Sequence, residues 1–218
     1  MVDVIHDVQR AYRNLVSAFA FPGTVRALLP GDVKIGFDTN LPTGLVLLSM
    51  ILLDGEVGAY FHETCEEELS LIQQLTYVQL RDACTADFLF FSGNGAVDAE
   101  QGTDVLDLAN TGTHIDPHTG ATALVYVSGP FERMKMETGS DSQGPQVLRL
   151  TGPGIRTEKH IGVDSSLLPW IERRNGLCAE FPLGIELVFY DDSYRVMALP
   201  RSVRAELIDG KRSGQWHT

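Results

Sequence analysis

Helical and extended patterns of apolar residues alternate along this chain from one end to the other, and that alternation limits its fold more than any other feature. Val4, Val8, Tyr12, Leu15 and Phe19 fall in steps of four and three, which lays one apolar stripe along a helix over residues 4–20. Pro22 then disfavours helical backbone at Phe21, and Gly23 accepts the turn that follows. Residues 24–29 read as a short strand closed by Pro30-Gly31, and 33–37 as another. Residues 45–53 are apolar on every side and predict a buried helix. A strand over 57–61 follows, then a helix over 66–80 with three glutamates in its first turn, where they suit the helix dipole. Residues 88–91 form a brief, fully apolar strand, 105–109 a short helix, 110–120 a loop and 121–127 a buried strand. A polar connection over 129–146 leads to a strand at 147–150. Residues 165–175 predict a helix capped by Asp164 or Ser165 and ended by Gly176. Strands at 185–190 and 194–199 make a hairpin about Asp191-Asp192-Ser193, and 203–208 add a last strand. Interleaving of this kind predicts one α/β domain over residues 1–208 with a mixed β-sheet, followed by a polar tail over 209–218 that is expected to be disordered.

The composition agrees with a packed domain. Of the 218 residues, 44% are hydrophobic and 21% charged, close to globular averages, and a chain of this length buries roughly 70% of its unfolded surface. Seventeen basic residues against 29 acidic ones give a net charge of −12. Phosphate backbones and anionic membranes call for a basic excess, so nucleic acid and membrane are not expected partners. A local basic pocket can still hold an anion. Cys65, Cys84 and Cys178 are odd in number and form no CxxC pair, which argues against a disulfide framework or a thiolate zinc site and fits a reducing cytoplasm. The first residues lack the basic segment of a signal peptide, and the longest apolar run is far short of a membrane span.

Chemistry-bearing strings are few. His114-Ile115-Asp116-Pro117-His118 is the most metal-like, but Pro117 and the flanking Thr-Gly pairs make it a turn, and no further ligand lies nearby in sequence; a solvated loop is the expectation, with no metal. Three glycine-rich stretches offer backbone N–H groups to an anion: residues 92–95, 111–113 and 151–154. Of these, Thr151-Gly152-Pro153-Gly154 is the best placed, because it follows a strand and has Arg149 and Arg156 at its shoulders; Pro153 removes one donor from it. None is a P-loop, and there is no GxSxG nucleophile elbow. Arg13, Arg201 and Arg204 are candidates to clamp a carboxylate or phosphate. No catalytic constellation is legible.

Several segments together carry a resemblance. Ala11-Tyr12-Arg13-Asn14-Leu15 with Phe21-Pro22-Gly23 is similar to the amino-terminal pattern of the PhnH family, subunits of the bacterial carbon–phosphorus lyase machinery. So are Asn110-Thr111-Gly112-Thr113 with Pro117 and Gly120-Ala121-Thr122, and the stretch Leu148-Arg149-Leu150-Thr151-Gly152-Pro153-Gly154-Ile155. Phe181-Pro182-Leu183-Gly184-Ile185-Glu186-Leu187 and Leu199-Pro200-Arg201-Ser202, with Glu206 beyond, complete the set, in order and over residues 8–206. The resemblance implies a three-layer fold like that of pyridoxal-phosphate-dependent transferases, but without the cofactor. It implies a cytoplasmic homodimer that joins the other subunits of the lyase core complex for alkylphosphonate catabolism. With those partners the family serves the ribose 1-methylphosphonate 5-triphosphate synthase step, in which phosphonate displaces adenine from the ribose of ATP. Independent activity is not expected, and an alternative is a nucleotide- or triphosphate-binding transferase subunit.

The lysines fit the expected loss of the cofactor, because a Schiff base needs a lysine in a dry site and none of Lys34, Lys135, Lys159 and Lys211 is convincingly so placed. The resemblance transfers no catalytic residue. Arg149, Thr151, Gly152 and Gly154 stand as candidates for an anion. Arg13, Pro22, Gly23, Thr111, Gly112, Phe181, Pro182, Gly184, Pro200 and Arg201 stand as candidates for packing, dimerisation or partner contact.

Overall fold

A computed structural model describes residues 5–30, 39–92, 99–128 and 146–208. The strand expected at 33–37, residues 93–95 of the glycine-rich stretch at 92–95, the polar connection expected over 129–146 except Gln146, and the tail lie outside these residues, as do Lys34, Lys135 and Lys211. In chain order the elements are α1 (His6–Ala20), β1 (Arg26–Ala27), α2 (Thr43–Leu52), β2 (Gly58–His62), α3 (Glu66–Thr76), β3 (Gln79–Leu80), β4 (Phe88–Phe91) and α4 (Ala99–Leu106). They continue with β5 (Thr122–Tyr126), β6 (Gln146–Thr151), β7 (Lys159–Val163), α5 (Leu168–Leu177), β8 (Glu186–Tyr190), β9 (Arg195–Leu199) and β10 (Arg204–Ile208).

The expected α/β architecture with a mixed sheet is present. A seven-stranded sheet runs β1-β9-β8-β5-β4-β2-β3. From β3 to β8 its neighbours pair in parallel, and the β8–β9 and β9–β1 pairs are antiparallel. Side-chain alternation along each strand assigns the two faces. Phe90, Leu124, Val188 and Ala198 point into one core with Leu15 of α1, Leu45 of α2 and Ile72 of α3. Their neighbours Leu89, Phe91, Ala123, Val125 and Phe189 point the other way, against Leu106 of α4 and Trp170 and Ile171 of α5. Helix α2 reads as apolar all round because α1, α3 and the sheet enclose it, leaving Leu45, Leu47 and Leu48 with no exposure.

The one sheet of the sequence reading is in fact two. Strands β10-β6-β7 form a separate antiparallel sheet that packs Leu148, Leu150, Ile161, Val163, Val203 and Ala205 into the α4–α5 core. Strand β7 escapes the sequence reading because Glu158-Lys159-His160 looks like a charged surface run; Glu158 and His160 are exposed while Ile161 and Val163 are buried. Helix α3 ends at Thr76 instead of residue 80, since Tyr77 takes a left-handed conformation (φ 61°) and Gln79–Leu80 turns into the edge strand. The helix expected at 105–109 starts earlier and ends at Leu106. The strand expected at 24–29 pairs only at Arg26–Ala27. The helix expected at 165–175 opens as a 3-10 turn over Ser165–Leu167, with the Asp164 carboxylate accepting from the Ser166 N–H, and α5 runs through Gly176 to Leu177. No helix among the described residues is long and apolar enough to cross a membrane.

Candidate functional site

Five separated segments meet at the amino end of β5 and β8. The Asn110 side chain accepts from the Gly112 N–H at 2.9 Å and its carbonyl accepts from Ala121 at 2.7 Å, which folds the 110–120 loop back over the start of β5. The Gly184 N–H then donates to the Thr111 carbonyl at 2.8 Å, so the turn before β8 locks onto that loop. Gly120 must lack a side chain here, because a Cβ would lie 2.4 Å from the Gly184 carbonyl oxygen. Arg201, just past β9, ties the same region together. Its backbone N–H and its Nε both donate to the Glu186 carboxylate at 2.8 Å, and its guanidinium also donates to the Pro117 carbonyl. Arg201 and Glu186 are each about a fifth exposed, 19% and 18%, so this is a largely desolvated pair.

The remaining two segments join from the second sheet and from α1. Gly154 (φ 81°) packs so closely that a Cβ would stand 2.5 Å from the Ala20 carbonyl oxygen. Gly152 meets the Ser202 carbonyl oxygen in the same way, at 2.8 Å. Gly23 donates its N–H to the Ala198 carbonyl at 3.0 Å, and Pro22 is buried beside it. Thus Pro22, Gly23, Thr111, Gly112, Thr151, Gly152, Gly154, Pro182, Gly184, Pro200 and Arg201 fall in segments that pack on one another at one end of the sheet. Phe181 lies at the same end and is 71% exposed. Arg13 does not join them; it stands exposed on α1.

Arg149, the shoulder of the expected anion turn, is committed elsewhere. It sits opposite Glu206 in the β6–β10 register and donates to its carboxylate, so the pair holds the Glu206 carboxyl below the usual range and Arg149 above its own. An anion at Thr151–Gly154 would have to compete with Glu206 for this guanidinium. Lys159, the one lysine within the described residues, donates its ammonium to the Pro22 carbonyl at 3.1 Å and to the Thr24 hydroxyl. Burial pushes its pKa down, and nearby Arg26 pushes it further.

His114, expected in a solvated loop, bonds Glu180 at the surface at 3.1 Å. Among the described residues no group of three or more His, Cys, Asp or Glu side chains is arranged to hold a metal.

Below the convergence point lies a cleft of about 550 Å³ between α5 and the start of β10, with Arg201, Ser202, Arg204 and Glu206 on one wall and Arg174 and Cys178 on the other. Arg174 is the residue the sequence reading misses. It is 1% exposed and donates to the carbonyls of Val203 (2.8 Å) and Pro200 and to the Asn175 side chain (2.9 Å). Its Nε is buried and has no hydrogen-bond partner. Burial pulls its pKa down, opposed by Cys178 and Glu186. Burial raises the Cys178 thiol, which donates to the Ile185 carbonyl at 3.4 Å. A signal existed in the sequence: Arg174 lies three and four residues after Ile171 and Trp170, on the buried stripe of α5.

The fold and this end of the sheet define an α/β protein built around a set of packed loops. The sequence matches the family of bacterial phosphonate metabolism proteins (PhnH) over residues 1–206, and the chain belongs to that family. It is also similar to the putative C-P lyase subunit protein HtxG of Stutzerimonas stutzeri, at 27% identity over 201 residues, which cover 91% of this chain and 86% of that protein.

Proposed function

We propose that this chain is a structural or co-catalytic subunit of the carbon–phosphorus lyase core complex, a homodimer in the cytoplasm that acts with partner subunits when phosphonate replaces adenine on the ribose of ATP. Family membership and the similarity to a putative C-P lyase subunit support a role in phosphonate catabolism. The observation that carries the subunit reading is how the motif polar groups are used. Arg201 is bonded to Glu186 and Pro117, Asn110 to Gly112, and Arg149 to Glu206, so these groups hold loops in place instead of facing a reacting atom. A rigid set of loops at one end of a sheet is what a docking surface needs, because it loses little entropy when a partner binds.

The test is co-expression with the other core subunits, each variant carrying one tag. The chain is expected to co-purify at fixed stoichiometry, and a deletion strain supplied with it is expected to grow on alkylphosphonate as sole phosphorus source. A protein that restores growth yet never associates with the others, or that turns over ATP and phosphonate alone, would overturn this reading.

A further inference from the structure

We infer that the outward face of α1 docks an acidic amphipathic helix of a companion protein, with Tyr12 and Val16 as its apolar anchors and Arg10 and Arg13 as its cationic border. That the companion is a subunit of the lyase machinery rests on the function proposed above; the face, and the charge of what fits it, rest on α1 alone.

Helix α1 carries two lines of side chains. Ala11, Leu15 and Ala18 are its buried residues and seat it on the protein. Ile5, Gln9, Tyr12 and Val16 follow one another in steps of four, three and four along a different line, Ile5 being the cap residue and itself in helical backbone. That spacing is the one by which two helices interlock their side chains. Ile5 is 77% exposed, Tyr12 51% and Val16 49%, and Phe21, just past the helix end, is 53% exposed. Large apolar residues exposed singly need no explanation, but three aligned on one helix with a fourth at its end make a strip that water leaves uncovered.

Charge decides what the strip fits. At about 100° per residue, Arg10 and Arg13 fall together along one border of it, and the buried line of α1 runs along the other. Both arginines are exposed and form no ion pair among the described residues. Arg26 adds a third cation at the end of the strip, 5.4 Å from the centre of the Phe21 ring. The strip is thus basic on a chain of net charge −12. A second copy of α1, packed antiparallel, sets like borders face to face and Arg10 and Arg13 against their own copies. An anionic membrane repels the acidic body that carries the helix. A helix with carboxylates beside its apolar stripe meets both the spacing and the arginines.

Co-expression of the full chain with the other, tagged core subunits tests this, read as the amount of chain retained per companion. Tyr12→Ser with Val16→Ser should lower retention by about tenfold or more, and Arg10→Glu with Arg13→Glu by as much. Arg10→Lys with Arg13→Lys should hold it. Ile115→Ser, which removes an apolar side chain 88% exposed on the 110–120 loop, should leave it unchanged. Because these positions are exposed, thermal melts of the variants should match that of the unaltered chain. A photo-crosslinking residue placed at Val16 should capture a companion segment of net negative charge. If the unaltered chain is retained and the strip variants are retained equally, or the captured segment is not acidic, the inference is overturned and the subunit reading stands. If the unaltered chain is not retained, both fall. Capture of a second copy from Val16, or binding to phosphatidylserine vesicles that the Tyr12 and Val16 variant abolishes, would assign the face to another occupant and overturn the inference as well.

Discussion

Replacing Glu186 by Gln tests the idea that the Arg201–Glu186 pair holds the converging loops together. The substitution keeps the shape and one acceptor oxygen but removes the charge and places an NH2 against an Arg201 donor. Two donors at 2.8 Å, on groups less than a fifth exposed, are affected: one of them loses its acceptor, and the Arg201 guanidinium loses the negative charge it faces. Breaking one side of a buried pair costs roughly 3–5 kcal/mol, and partial exposure plus the retained acceptor bring the expectation here to about 2–3 kcal/mol. With a urea slope of about 2 kcal/mol per molar, the unfolding midpoint should fall by roughly 1–1.5 M with no change in slope. The comparison is Glu206→Gln, which removes a similar charge pair from an exposed position and should barely move the midpoint. If the two variants shift the midpoint equally, the assignment of Arg201–Glu186 as the tie between loops is wrong.

Two glycines should respond with opposite sign. Gly154→Ala forces a Cβ to 2.5 Å from a backbone oxygen at φ 81° and should destabilise by about 2 kcal/mol or more, whereas Gly176→Ala, helical with open space around it, should stabilise by about 0.5–1 kcal/mol; thermal melts of both check this. Tyr126 and Tyr190 both have raised pKa values, chiefly from burial, with the Tyr126 hydroxyl also donating to Asp192 at 2.5 Å. Folding therefore favours their protonated forms. Their contribution to stability is full below the unfolded tyrosine pKa of about 10 and is lost as pH rises beyond it, so phenolate absorbance should lag behind that of the denatured chain in an alkaline titration. Among the three thiols, Cys178 should react most slowly with a disulfide reagent at pH 8, since Cys65 and Cys84 are exposed and burial raises the Cys178 pKa.

The sequence by itself determined the local elements and the family. The all-round apolarity of α2 and the fully apolar run of β4 are written in nearest neighbours, whereas the stripe read for α1 is displaced, because Ala11, Leu15 and Ala18 are its buried residues and Tyr12 stands half exposed. The motif glycines were legible as turns, yet their purpose was not: Gly120, Gly152 and Gly154 are small because another backbone passes against them, and that backbone comes from tens of residues away. Tertiary structure alone decided that β7 exists, since a charged run becomes a strand only when Ile161 and Val163 find the core on the far side of β6. It also decided between neighbouring arginines of one helix. Arg173 turns outward to Asp104 and Asp107, while Arg174, one residue and about 100° further round the helix, is sealed between α5 and the turn before β10. The same is true of Arg149 and Arg201, alike in sequence as exposed-looking members of family motifs, of which one faces a solvated carboxylate and the other a desolvated one. Charge and periodicity set what each segment can do alone, but which long-range partner it meets, and so whether an arginine is sealed in the core or meets a carboxylate at the surface, depends on the packing of the whole chain.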